Sequence, residues 1–345
     1  MLNNIIFSSI IILAFGTSIF AQSTNNAKNN VIQLEQALVT AESVDIAKEV
    51  IGKLISKRSA QQILSKTIQC STYVKSSYQE GDDLSLLEFL SYSSYKRPGE
   101  YRDFIVAIDD HSSDDKDFSI NVGFAIEIGG DDVIPSQGEF NIGQHFYQGY
   151  GDGNIDLFSN TISLPKIIAN KIPSPLGFDA FLNYKFKVRS IAGQPGNFTY
   201  HIEFESKKRN FIKGILKIQQ DGWILEQSIL EPHKTSLFDL DGLKITQKYI
   251  QSISGASLVN ERYFDWYLKS DTGSIKVIHS DFILNENLSR KKLGLAIRSY
   301  AENAFDIDDS DWSDLRKIPL AIAEKAFVSI QDSLCLLYTS PSPRD

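Results

Sequence analysis

From Tyr184 to Gln251 apolar and polar positions alternate. Tyr184, Phe186 and Val188 interleave with Lys185, Lys187 and Arg189, and Tyr200, Ile202 and Phe204 with His201, Glu203 and Glu205. Ile212, Gly214, Leu216 and Ile218 oppose Lys213, Lys217 and Gln219. A period of two puts successive side chains on opposite sides of a strand, so each run predicts a half-buried strand. Asp221-Gly222 follows, then Trp223, Leu225 and Ile229. Glycine supplies the positive φ of a tight hairpin, which predicts a turn there and places Trp223 in or near the core, in phase with Leu225 and Ile229. The whole stretch from Ser174 to Gln251 is predicted to form one antiparallel meander.

Upstream the period changes. Val31, Leu34 and Leu38, then Val44, Ala47, Ile51, Leu54 and Ile55, recur at helical spacing, with Ser43 placed to cap the second of two segments. From Thr67 the period returns to two, predicting strands over Ile68 to Tyr78, Tyr101 to Asp109, Ile120 to Ile128 and Ser274 to Leu284. Asp109 to Asp117 and Gly149 to Gly153 read as exposed loops. Pro319 opens a predicted helix with Leu320, Ala323, Phe327 and Ile330 on one face. The fold class that follows is mainly β (α+β): an N-terminal helix and an antiparallel meander that can curve around it. Residues 22–66 make a polar leader and helical segment, 67–287 the β domain, and 288–334 a connector and helix.

The two ends read differently from the body. An apolar run from Ile5 to Phe20 ends at Ala21, the pattern of a secretory signal (residues 1–21) cleaved before Gln22. A retained membrane anchor is the alternative, although the run is short for a span. No cysteine follows it, which argues against a lipoprotein anchor. Residues 335–345, CLLYTSPSPRD, fit neither period and match a translated sequencing adapter; they are expected to be a scar that makes no defined contact with the fold, the natural chain continuing beyond. Cys70 is then the one remaining cysteine. It alternates with Ile68, Thr72 and Val74, so a buried, unreactive thiol is expected.

Composition narrows the partners. The 345 residues carry a net charge of −8 and a pI near 5.3, with 42% hydrophobic residues. No Lys/Arg cluster stands out, which disfavours nucleic acid. Catalytic signatures are missing: there is no H-E-x-x-H, no G-x-S-x-G elbow and no phosphate-binding glycine loop. His111, His145, His201, His233 and His279 are far apart, without ligand spacing. Asp306, Asp308, Ser310 and Asp314 place oxygens at alternating positions as Ca²⁺ requires, but an EF-type loop would then have Asp311 where it needs Gly and Lys317 where it needs Glu. A solvated acidic loop at a helix start is the expectation. No catalytic, cofactor or metal residue is assigned.

Three segments resemble an envelope family of unknown function, number 5686 among domains of unknown function. The first is Ser174, Pro175, Leu176, Ala180, Phe181, Tyr184 and Phe186; the second is the strand pair around Gly214 and Trp223; the third is Trp312, Arg316, Pro319, Leu320, Glu324, Asp332 and Ser333. The resemblance spans about Ala47 to Leu334. Lys317 stands where the family usually has Pro, and no carboxypeptidase-regulatory-like domain, common in front of family members, fits between Gln22 and the first helix. The resemblance implies an exported protein with an all-β periplasmic part, followed in longer relatives by a β-rich region of outer-membrane barrel type. It brings no catalytic residues and no cofactor. The leading expectation is a non-enzymatic cell-envelope protein, the periplasmic part of an outer-membrane-associated one. A periplasmic lipid or lipoprotein carrier, its sheet wrapping a helix above an apolar hollow, and a periplasmic hydrolase are the alternatives.

Overall fold

The computed structural model describes residues 28–339 apart from 82, 98, 112–117, 128–132, 143–144, 209–210, 239, 289–297 and 306–308. Helix α1 (Lys28–Leu64) leads into strands β1 (Thr67–Glu80), β2 (Asp83–Lys96) and β3 (Glu100–His111). The hairpin β4 (Phe118–Glu127) and β5 (Val133–Ile142) follows. Residues 145–183 carry the short pair β6 (Thr161–Ile162) and β7 (Ile172–Pro173) and the one-turn helix α2 (Ala180–Asn183). Seven strands then run as a meander: β8 (Tyr184–Gln194), β9 (Asn197–Ser206), β10 (Ile212–Gln219), β11 (Ile224–Pro232), β12 (Gly242–Gln251), β13 (Ser257–Leu268) and β14 (Asp271–Leu284). Last come β15 (Arg298–Tyr300), α3 (Asp309–Leu315) and α4 (Ile322–Thr339).

Eleven strands form one sheet in the order β15-β3-β2-β1-β14-β13-β12-β11-β10-β9-β8. All pair antiparallel except β15, which lies parallel to β3. The mainly β architecture with a leading helix is as the sequence predicts. Two compact units divide the chain at Ser43/Val44. Of the first, the structure describes only the helical backbone of residues 28–43.

In the second unit, α1 contributes Ala47, Val50, Ile51 and Leu54, each at most 2% exposed, to the core on the front of the sheet. Their spacing of three, one and three is one helical stripe, and burying each large side chain stabilises the fold by roughly 1.5–3 kcal/mol. Helix α1 runs from Lys28 to Leu64, so Ser43 lies inside it and not at the start of a second segment: no Gly or Pro interrupts the pattern there. Residues 145–183 complete the front layer with Tyr147, Leu157, Ile162 and Leu176, all buried in the same core. Ser174 ties that layer down, donating from Oγ to the Leu157 carbonyl at 2.5 Å, and Tyr184 donates to the Pro173 carbonyl at 2.5 Å.

Strands β8 to β12 are where the alternation put them, while β13 is a strand it did not predict; the register shifts at Val188/Ser190, Lys217/Ile218 and Lys248/Tyr249, and the second shift changes a predicted face. Lys217 pairs with Gln227 but Ile218 with Leu225, so Glu226 is an extra residue that flips the strand. Leu225 and Leu230 are buried while Ile229 is not, which corrects the face predicted for Ile229. Gly222 turns at φ 67° and Trp223 follows at φ 49°. The half-buried Trp223 stacks on Tyr200 at 6.2 Å, beside the core. Gly149 to Gly153 is not an exposed loop. A Cβ on Gly149 would sit 2.8 Å from Asp103 Oδ2, and one on Gly153 would sit 2.6 Å from the Ser163 carbonyl, so these glycines allow close approach. Helix α4 begins at Ile322, leaving Leu320 outside it, and continues through Thr339. The segment 335–339 is thus helical, contrary to the patternless reading of the tail. Ile128, the predicted end of β4, lies outside the described residues, as do residues 1–27 and 340–345.

The back of the sheet at β1 and β2 is covered as well. Glu88 Oε2 accepts from Arg316 Nε at 2.7 Å and from Trp312 Nε1 at 3.3 Å, and Tyr73 OH donates to its other oxygen. Arg316 also donates to Asp109 at 2.9 Å. Lys75 pairs with Glu324 at 2.5 Å and donates to the Pro319 carbonyl at 3.1 Å. Trp312, Arg316, Pro319 and Glu324, all from the third segment of the family resemblance, thereby fasten the chain from α3 to the start of α4 onto the sheet.

Candidate functional site

Past the C-terminal end of α1 the front layer leaves a cavity of about 420 Å³. The end of α1 is pinned beside it: Arg58 and Gln62 both donate to the Phe158 carbonyl, at 2.7 and 2.8 Å, and Gln61 accepts from the Ser257 amide at 2.7 Å. Strands β1 to β3 supply Ile68, Tyr95 and Tyr101, and β12 and β13 supply Tyr249 and Arg262. Tyr150, between the close-packed glycines, stacks on Tyr95 at 5.2 Å and on His279 at 5.1 Å. A Cβ on Gly151 would come within 2.2 Å of the Tyr101 ring, so this turn reaches the cavity only as glycine.

The charges around this space are unequal. Arg97 is paired with Asp156 and donates to the Ser65 carbonyl at 3.0 Å. Lys171 is exposed and has no ion pair among the described residues. Arg262 is 3% exposed. Its guanidinium donates to Tyr147 OH and lies 5.3 Å from that ring's centroid, while Nε has no hydrogen-bond partner. No carboxylate among the described residues pairs with it. Its cross-strand neighbour Gln247 is fully buried with neither amide atom bonded. Burial raises the Tyr147 hydroxyl to about 12, with the Arg262 charge opposing, so Tyr147 stays neutral.

His279 is also buried. Its Nδ1 lies 3.0 Å from Thr72 Oγ1 and 3.7 Å from Cys70 Sγ, and Nε2 has no partner. Burial first, then the Arg262 charge, lowers it to about 3, so it is neutral and adds no charge. Burial pushes the Cys70 thiol up to about 12; with 4% exposure it is the buried, unreactive cysteine the alternation predicts. Thr72 continues through Ser93 to Asp103, at 2.8 and 2.6 Å.

The other histidines are dispersed. His145 bridges Ser76 and Ser85 at 2.6 and 3.2 Å, with Ser76 fully buried. His201 meets Ser190 at 2.8 Å on the surface. His111 faces Asp109 at 2.8 Å, and His233 caps the turn at Thr235. None of these pairs joins an accessible hydroxyl to an imidazole that a carboxylate orients, as nucleophilic catalysis requires. Asp306 and Asp308 lie outside the described residues, Ser310 is in α3, and Asp314 is exposed. Among the described residues no cluster of three His, Cys, Asp or Glu side chains is placed to hold a metal, and no helix is long and apolar enough to cross a membrane.

Sequence reasoning assigned no role to Arg262, Gln247 or Tyr150. The one signal was the polar pair itself: Arg262 falls in phase with Phe264 and Trp266, an arginine on the apolar side of a strand.

Residues 130–277 match the model of the Family of unknown function (DUF5686), the family that the three sequence segments resemble. No curated protein matches the chain. Among solved structures, the chain is similar to a domain described as that of an outer membrane lipoprotein-sorting protein of Vibrio parahaemolyticus, at 11% identity and a TM-score of 0.35, over 70% of this chain and 94% of that one. It is similar to a DUF1329 family protein of Desulfovibrio piger at 11% identity and a TM-score of 0.33, over 72% and 97%. A LolA superfamily protein of Nitrosomonas europaea gives 14% identity and a TM-score of 0.28, over 72% and 97%.

Proposed function

We propose that this chain is an exported, non-catalytic binding protein of the cell envelope, and that the cavity beside the end of α1 is its binding site. One observation carries the reading: beside the end of α1 a space of about 420 Å³ is walled by Ile68, Tyr95, Tyr150 and Leu258 and holds the buried Arg262. Ligand sites of about 300–1,000 Å³ are ordinary for small molecules. The leader at residues 1–21 supports export, and the family resemblance supports an outer-membrane connection through a following region.

A carrier of a small amphiphile fits better than a carrier of a whole diacyl lipid, because Ala47, Val50, Ile51 and Leu54 occupy the hollow under the helix. At roughly 30 Å³ per water-sized unit, the cavity holds about fourteen non-hydrogen atoms. Dodecanol, with its twelve carbons and one hydroxyl, is the matching neutral probe.

Two measurements test the proposal. N-terminal sequencing of the protein from an envelope fraction is expected to start near Gln22; a cytoplasmic species keeping Met1 defeats the export claim. Titration calorimetry is expected to show dodecanol binding to the wild type and its loss in Ser257→Phe, which fills the cavity from β13. Binding that survives the substitution places the site elsewhere.

A further inference from the structure

The lining of the cavity specifies charge as well as size. We propose that it is an anion site, in which Arg262 receives the carboxylate or phosphate monoester head of a small amphiphile; this rests on the cavity being the binding site.

A buried guanidinium without a carboxylate is costly, because desolvating a charge outweighs a single hydrogen bond to a phenol. Buried polar atoms are bonded in the great majority of cases, yet Arg262 Nε and both amide atoms of its neighbour Gln247 lack partners. The groups that could neutralise Arg262 are committed elsewhere. Asp156 holds Arg97, Glu261 pairs with Lys248 at 2.6 Å, and the Asp103 carboxyl, raised by burial, accepts from Ser93. His279 is neutral and accepts no charge. Arg97 and Asp156 cancel, so Arg262 and Lys171 leave two positive charges on this cavity in a chain of net charge −8. An incoming anion with two oxygens meets the planar fork of Arg262. Tyr150, Ile68 and Leu258 provide the apolar wall for its body.

The test compares dodecanoate, dodecyl phosphate, dodecanol and inorganic phosphate by calorimetry on the full chain. Both anionic amphiphiles are expected to bind roughly 10- to 100-fold tighter than dodecanol, the usual worth of a charge-assisted pair. Arg262→Met is expected to bring both anions down to the affinity of the alcohol measured on the same variant, and Arg262→Lys to keep part of the preference. Lys for Arg retains the charge, so it reports on the site even where the Met variant does not fold. Dodecanol binding without anion preference, or a preference that survives in Arg262→Met, overturns the anion site and leaves the cavity reading standing. No binding by any amphiphile sinks both. Inorganic phosphate binding as tightly as dodecyl phosphate overturns the amphiphile class.

Discussion

On the back of the sheet Glu88 is fully buried, and Arg316, Trp312 and Tyr73 all donate to it. On the front, two strands beyond β1, Arg262 is just as deeply buried and has one neutral partner. Both are charges removed from water, at similar energetic cost. The back network is closed by residues of the same chain and holds α3 and α4 in place. The front one is left open beside a cavity. Closure marks a fastening; an opening of the same chemistry marks a place where something from outside completes the set.

The comparison breaks most visibly at Glu88. Glu88→Ala strands Arg316 against a buried surface, and the expected loss is about 3–5 kcal/mol in urea denaturation. A loss under about 1 kcal/mol would show that α3 is not fastened through this carboxylate.

Acid is expected to act next most strongly, and on the front. Burial holds His279 near 3, and burial lowers His145 to about 4, against about 6.5 in the unfolded chain. The unfolded state therefore takes up protons first as pH falls. Stability present above pH 6.5 is lost from 6.5 down to about 4 for His145 and about 3 for His279, by roughly 2 kcal/mol per histidine at pH 5. Asp103, whose carboxyl is raised by burial, offsets part of this by keeping its proton in the fold. His279→Gln compared with the wild type at pH 7 and pH 5 isolates one imidazole; an equal pH 5 penalty in both proteins contradicts the assignment.

Gly151→Ala tests the floor of the cavity without touching a charge. Its Cβ would meet the Tyr101 ring, so a loss of about 1–3 kcal/mol is expected as the turn is pushed away. An unchanged melting temperature would mean that Tyr101 swings clear.

The smallest effect sharpens the contrast most. Arg262→Met removes a buried charge that the chain does not pair, so the unliganded protein is expected to change by less than about 1 kcal/mol, or to gain stability. A loss comparable to that at Glu88 would make Arg262 a fastening after all.

How legible these regions were in the sequence follows from how they are covered. The meander β8 to β12 faces core on one side and solvent on the other, so its alternation survives and was read correctly except after Glu226. In β2 the five residues from Ser85 to Phe89 are buried in succession, because α1 and the front layer lie on one side and α3 on the other. That erases the period of two, and β2 was not anticipated. Cys70 was legible because its neighbours alternate. The cavity was not, since its walls come from β1, β3, β13 and the glycine turn, which only the folded chain brings together. The Trp312, Arg316 and Glu324 letters were visible as a motif, but their work depended on Glu88 and Lys75, more than 200 residues upstream.

The seam between β1 and β14 governs when this molecule can fold. Val74 pairs with Val277, and every strand from β8 to β14 must be made before that seam closes. Closing so long a loop is slow, since its entropy must be given up before the contacts form. Until then β1 and β2 are a hairpin with one bare edge, an invitation to strand pairing between chains. The strand that covers this edge is β14, so the exposure of the first hairpin lasts as long as it takes the far end of the sheet to arrive.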